Sequence, residues 1–194
     1  MTFETLPLQG LILIQNRIFS DDRGYFTERY RTDLFKRHGI AEPFVQDNFS
    51  WSKPGVIRGL HFQHQPAQGK LVTCISGKIL DVAVDIRLNS PTFGQHYKVE
   101  LNARTPTWLW LPAGFAHGFS VLGEEPAHVL YKVTAGWGPG GEGGIFWKDP
   151  KLGIDWQVSS PHLSSKDMQL PSFEEYRNNP KFFWNSRSEA PCHT

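Results

Sequence analysis

Lys70 and Asp81 are the two side chains whose types and spacing first suggest chemistry. The runs 70–75 and 78–86 flank Ser76-Gly77, a turn signal, and read as two arms of a hairpin. Alternation then puts Lys70, Val72, Cys74, Ile79, Asp81 and Ala83 on one face, with Lys70 opposite Ala83 and Asp81 diagonal to it. Leu80, Val82, Val84 and Ile86 take the other face and make it apolar. A lysine and an aspartate on the inner face of a barrel would form a charge-balanced pair in a cavity. On an outer face they would be an ordinary cross-strand ion pair, the commoner case. The loop Ala135-Gly-Trp-Gly-Pro-Gly-Gly-Glu-Gly-Gly144 contains no Gly-Lys-Ser/Thr element, so it is not a P-loop. It reads either as a flexible turn or as a lid over a ligand. None of the 8 histidines declares a role by spacing alone.

These residues are carried by many short strands. Apolar or alternating runs occur at 11–18, 25–30, 44–50, 56–63, 70–75, 78–86, 96–101, 107–111, 118–122 and 127–134, broken by Gly, Pro, Asn and Asp. With 18 Gly and 14 Pro and no alternating helices, this density predicts an all-β antiparallel sandwich or barrel. A helix is expected over 33–38, capped by Thr32 and stopped by Gly39, with Lys36, Arg37 and His38 at its negative end. Short helices are expected from Ser164-Ser165-Lys166-Asp167 and over 173–178. One domain over 1–180 is the simplest partition of the 194 residues, with 181–194 a mobile C-terminal extension holding Phe183 and Trp184.

The function classes narrow by exclusion. Hydrophobic residues make up 39% and charged residues 20%, the balance of a soluble globular protein. Net charge is +1 without a basic block, so no nucleic-acid footprint is present. The early apolar run, 12–14, is too short for a signal h-region or a membrane span. Cys74 and Cys192 do not make a disulfide framework, which points to a reducing cytoplasm.

The sequence resembles the dTDP-4-dehydrorhamnose 3,5-epimerase family in a series of ordered blocks. They include Phe19-Ser-Asp-Asp-Arg-Gly-Tyr-Phe26-Thr-Glu28, Phe44-Val-Gln46-Asp-Asn48, Arg58-Gly-Leu-His61-Phe-Gln63, Pro112-Ala-Gly-Phe-Ala-His117, Tyr131-Lys132 and Leu163-Ser-Ser-Lys-Asp167. The resemblance implies a cupin-like jelly roll with a few short helices, acting as a homodimer whose N-terminal strands are exchanged. It implies a dTDP-linked 4-keto-6-deoxyhexose as substrate and inversion at C3 and C5, both acidified by the C4 ketone. Such chemistry needs a base on one face, an acid on the other and a cation at the enolate oxygen.

By the same resemblance His61 is the base; imidazole titrates near the working pH, and Asp167 would orient it. Tyr131 is the acid on the opposite face, and Lys70, with Asp81 as counter-charge, holds the enolate oxygen. His117, in the turn that precedes Gly118, lines the sugar or phosphate pocket. Arg23 and Arg58 match contacts to the diphosphate, where a guanidinium can bind two oxygens at once. Gln46, Asn48, Glu142 and Lys166 match further nucleotide or sugar contacts, while Phe26 and Glu28 are expected from the partner subunit. Trp137 stands where relatives commonly place the tyrosine that stacks on the thymine, and an indole can stack there too. Cupins that bind a metal use a His-x-His pair, a Glu soon after and a later His. Here His61 and His64 are three apart and Lys70 stands near the Glu position, so neither a metal nor another cofactor is expected. Two alternatives stand beside this reading, a C3-only epimerase of a related nucleotide 4-keto sugar and a non-catalytic carbohydrate-binding jelly roll.

Overall fold

A computed structural model describes residues 1–185 of the chain. In chain order the elements are β1 (Thr2–Thr5), β2 (Ile12–Gln15), β3 (Ile18–Asp21), β4 (Gly24–Thr27), α1 (Thr32–Arg37), β5 (Gln46–Ser52), β6 (Ile57–Gln63), β7 (Lys70–Ser76), β8 (Lys78–Asp85) and β9 (Arg87–Leu88). They continue with β10 (His96–Asn102), β11 (Thr107–Leu111), β12 (Phe115–Val121), β13 (Ala127–Val133), β14 (Glu142–Gly144), α2 (Ser165–Met168), α3 (Phe173–Asn178) and β15 (Phe182–Phe183). A six-stranded sheet in the order β1-β2-β11-β7-β13-β5 faces a five-stranded sheet in the order β10-β8-β12-β6-β14. Every pairing inside these two sheets is antiparallel. The result is the cupin-like jelly roll, all-β apart from three short helices.

The expected hairpin across Ser76-Gly77 is not formed. β7 pairs with β11 and β13, whereas β8 pairs with β10 and β12, so the chain crosses from one sheet to the other at Gly77. Gly77 lies at φ 77°, and a side chain there would strike the backbone of Pro126 and Ala127, so the crossing requires glycine. The face assignments nevertheless hold. Val72 and Cys74 meet Ile79 and Ala83 between the sheets, while Leu80, Val82, Val84 and Ile86 point outward under the C-terminal segment. Strands that each present one apolar face gain more burial stacked across a sandwich than paired edge to edge with those faces side by side.

Two local expectations also shift. Thr32 opens α1 rather than capping it; the cap position is Arg31, whose guanidinium donates to Asp33 at 2.8 Å and, having no acceptor, caps no backbone N–H. Of the N-terminal strands expected to be exchanged, β1 and β2 complete their own chain's sheet, beside β11. Leu6, Leu8, Leu11 and Ile14 are buried there in the chain's own core. Only the β3–β4 hairpin stands off as a separate two-stranded sheet.

The C-terminal segment is built onto the smaller sheet. Ser172 and Glu175 form a capping box at α3, and the Tyr176 hydroxyl donates to the Ile86 carbonyl at 2.7 Å. Beyond residue 180, β15 pairs in parallel with β9 and the Trp184 N–H donates to the Leu88 carbonyl. The Arg87 guanidinium sits between the rings of Phe115 and Trp184. Thus 181–185, the start of the expected mobile extension, is packed on the body; Phe182 and Trp184 make ring contacts there, while Phe183 stays exposed. The rest of that segment, 186–194 with Cys192, lies outside the described residues.

Candidate active site

The site lies in the open end of the sandwich. β6 and β14 of the smaller sheet, β5, β7 and β13 of the larger one, the glycine-rich loop and α2 line a cavity of about 1040 Å³. That volume is at the upper end for small-molecule sites, which run to roughly 1,000 Å³. On its wall stand Gln46, Asn48, Arg58, His61, Lys70, Tyr131, Trp137, Glu142, Lys166 and Asp167, most of the residues singled out from the sequence.

His61 Nε2 is 2.6 Å from Asp167 Oδ1. The strand β6 supplies the imidazole, and α2 supplies the carboxylate from 106 residues further along the chain. Ser164 places that carboxylate: its side chain caps α2 by accepting from the Asp167 N–H at 3.0 Å. Burial disfavours the Asp167 carboxylate, but its hydrogen bond to His61, the His61 charge and contacts to the Gly59 backbone and Ser164 outweigh that and lower its pKa. It is therefore ionised when it accepts from Nε2–H, which fixes the tautomer and leaves the Nδ1 lone pair able to accept a proton.

Lys70 enters from β7 and donates from Nζ to the His61 carbonyl at 3.3 Å. Burial depresses its pKa to about 8, against the opposing pull of Asp81 and Glu142. Tyr131 enters from β13, in register with Asn48 on one side and Val72 on the other. Burial raises its pKa, the Arg58 charge lowers it and Glu142 raises it further, with burial dominant. Arg58 is anchored by Ser52 Oγ at 2.9 Å and the Trp51 carbonyl at 3.2 Å, with no carboxylate partner among the described residues. Lys166 pairs with Glu142 at 3.2 Å.

Several expected residues are placed otherwise. Asp81 is not hydrogen-bonded to Lys70; both its carboxylate oxygens contact His117 Nε2, at 2.9 and 3.0 Å, and it acts on Lys70 only by longer-range charge. The hairpin reading put Asp81 one strand from Lys70, whereas the two lie on facing sheets. His117 is within β12 rather than in a turn, opposite His61 in register, and its buried ring is not on the cavity wall. Arg23, Phe26 and Glu28 lie on or just after the β3–β4 hairpin, exposed and away from their own chain's cavity, with Arg23 bound to Asp21. Among the described residues no three His, Cys, Asp or Glu side chains gather as metal ligands would.

Gln63 and Gln68 also reach the cavity and were not singled out as site residues. Gln63 shares the inward alternation of His61 on β6, the one signal that could have marked it. Both bond the backbone of the glycine-rich loop. That loop is therefore tied down, although Trp137 at its tip is 61% exposed.

Residues 5–175 match the family model described as dTDP-4-dehydrorhamnose 3,5-epimerase. A dTDP-4-dehydrorhamnose 3,5-epimerase of Pseudomonas aeruginosa is 49% identical over 172 residues, 88% of this chain and 94% of that protein. The crystal structure of a dTDP-6-deoxy-D-glucose-3,5-epimerase from Legionella pneumophila, in complex with dTDP-4-keto-L-rhamnose, superposes with a TM-score of 0.91 at 40% identity, covering 95% of this chain and 99% of that one. A 3'-monoepimerase from Streptomyces bikiniensis, in complex with dTDP-quinovose, superposes with a TM-score of 0.83 at 33% identity, covering 89% and 88%.

Proposed function

The chain belongs to the dTDP-4-dehydrorhamnose 3,5-epimerase family, and on that premise we propose that it converts dTDP-4-dehydro-6-deoxy-D-glucose to dTDP-4-dehydro-L-rhamnose by inverting C3 and C5. The observation that carries the reading is the His61–Asp167 contact at 2.6 Å in a cavity that also holds Lys70 and Tyr131. His61 Nδ1 takes the proton from the carbon beside the C4 ketone, and the C–H electron pair moves into the carbonyl to give an enolate. The Lys70 ammonium holds the enolate oxygen. The Tyr131 phenol then returns a proton to the same carbon from the other face, which inverts it. Solvent removes the proton from His61 and restores that of Tyr131 before the second carbon reacts. Arg58, with no carboxylate partner among the described residues, takes the diphosphate, and Trp137 covers the base.

We expect Tyr131→Phe to separate the two halves of this sequence. In deuterated water it should still exchange the first proton at a substantial rate while the yield of inverted product falls about a hundredfold, the lower end of general-acid effects. Equal loss of exchange and inversion would mean that Tyr131 shapes the site rather than protonating the enolate. The likeness to a 3'-monoepimerase supports a second reading, inversion at C3 alone. Deuterium at both C3 and C5 of the wild-type product supports the first reading, and label confined to C3 establishes the second.

The working form is a homodimer in which the β3–β4 hairpin of each chain reaches the partner's cavity with Arg23, Phe26 and Glu28. Support comes from exposed Phe19, Tyr25 and Phe26 on that hairpin, and from exposed Phe49 and Trp51 on β5. The single domain, which takes in 181–185 as well as 1–180, works in a reducing cytoplasm, in keeping with the free buried thiol of Cys74. No described helix is long and apolar enough to cross a membrane.

A further inference from the structure

The loop that carries Trp137 is glycine-rich yet stitched to the chain beside it. Gln63 Nε2 donates to the Pro66 carbonyl at 2.9 Å and to the Gly136 carbonyl at 3.0 Å, and its Oε1 accepts from the Gly138 N–H at 3.1 Å. Gln68 Nε2 donates to the Ala135 carbonyl at 2.7 Å, and Gln46 Oε1 accepts from the Trp137 N–H at 3.1 Å. The His64 N–H reaches the Gly141 carbonyl at 2.8 Å. Gly141 comes so close to the Gln65 backbone that no side chain would fit. Backbone groups on both sides of Trp137 are thus fixed by glutamines, while the indole itself is left largely exposed.

We propose that Gln63, supported by Gln68, is a positioning residue for nucleotide recognition: it fixes the Trp137 loop over the cavity before substrate arrives. The inference rests on the reading that Trp137 covers the base. Its physical basis is preorganisation. A loop with glycine at most positions loses much backbone entropy when it is ordered, and without the clamp that cost falls on binding. Gln63 is 4% exposed and spends both its amide groups on the loop and its neighbour Pro66, so it acts through Trp137 and not on the ligand. It is also two residues from His61 on the same face of β6. The strand that carries the reaction's base therefore sets the position of the nucleotide loop.

The test is dTDP binding by calorimetry, with steady-state kinetics, on Gln63→Glu, Gln68→Met and Trp137→Ala, and on each glutamine variant combined with Trp137→Ala. Glutamate keeps the volume and the acceptor for Gly138 but cannot donate to the two carbonyls. We expect Gln63→Glu to raise both the Kd for dTDP and KM roughly tenfold while kcat stays within about twofold, since ordering costs act on binding. Gln68→Met should produce a smaller rise of the same kind. In the Trp137→Ala background each effect should shrink to less than about twofold, because contacts that act through one group are not additive. An unchanged dTDP affinity in Gln63→Glu, a loss confined to kcat, or the same tenfold loss without Trp137 would overturn the clamp. If Gln63→Glu does not fold, the Gln68→Met cycle decides by the same criteria. Should Trp137→Ala alone leave dTDP affinity intact, the reading of Trp137 fails, an outcome distinct from failure of the clamp.

Discussion

His61→Ala is expected to abolish exchange of the C3 and C5 protons with solvent, by about a thousandfold or more, while dTDP binding stays within about twofold. The ring touches Asp167, and in the proposed mechanism it meets the reacting carbon and not the nucleotide, so its loss removes chemistry and spares recognition. Asp167→Asn makes the sharper comparison. An amide oxygen can still accept from Nε2–H and keep the tautomer, but it cannot stabilise the imidazolium formed as the proton is taken. The loss there should be smaller than for alanine at 61. Its folded-state pKa lowered, Asp167 stabilises the fold above the unfolded carboxyl pKa, and that contribution is lost as pH falls through the lower folded value. The asparagine variant should accordingly lose stability at neutral pH and show less further loss on acidification. A non-catalytic carbohydrate-binding jelly roll would tolerate His61→Ala, so wild-type exchange in that variant would sink the mechanism.

What the sequence made legible follows the range of the forces involved. Strand positions followed from alternation, which is local: β11 and β13 fall within a residue of the predicted spans. Partnerships were not local. The turn signal at Ser76-Gly77 is the same for a hairpin and for a crossing between sheets, and only the backbone of Pro126 and Ala127, fifty residues away, decides between them. The error propagated to Asp81, whose partner became His117 rather than Lys70. The His61–Asp167 pair joins distant parts of the chain, and nothing in spacing could show it; resemblance to a family brought it into view. Gln63 was passed over for a different reason. A buried amide that bonds only backbone leaves no pattern in composition, since the groups it satisfies are common to every residue. The docking of β15 leaves no signal in the sequence because its partner, β9, is only two residues long.

Lys70→Met is expected to lower kcat by two to three orders of magnitude, about the cost of removing one donor from a preorganised oxyanion site, with a much smaller change in KM. The wild-type pH profile carries the more specific expectation. Burial brings the Lys70 pKa down from 10.5 to about 8, and only the ammonium can hold the enolate. kcat/KM, which reports groups of the free enzyme, should therefore fall as pH rises through about 8, well below the range of an exposed lysine. Lys70→Arg, charged at every accessible pH, should lose that limb even if its geometry reduces the rate. Asp81→Asn should move the limb downward, since Asp81 is the larger of the two charges that keep Lys70 protonated. Linkage separates this from alkaline unfolding. Below pH 8 Lys70 is protonated in both states and burial of its charge disfavours the fold; between 8 and 10.5 the unfolded chain holds the extra proton, so this group's contribution to stability improves as pH rises. Activity and the Lys70 contribution to stability thus move in opposite directions across one pH window. A rate that stays flat to pH 10 in wild type, or an alkaline limb unchanged in Lys70→Arg, would show that the enolate is held by another group.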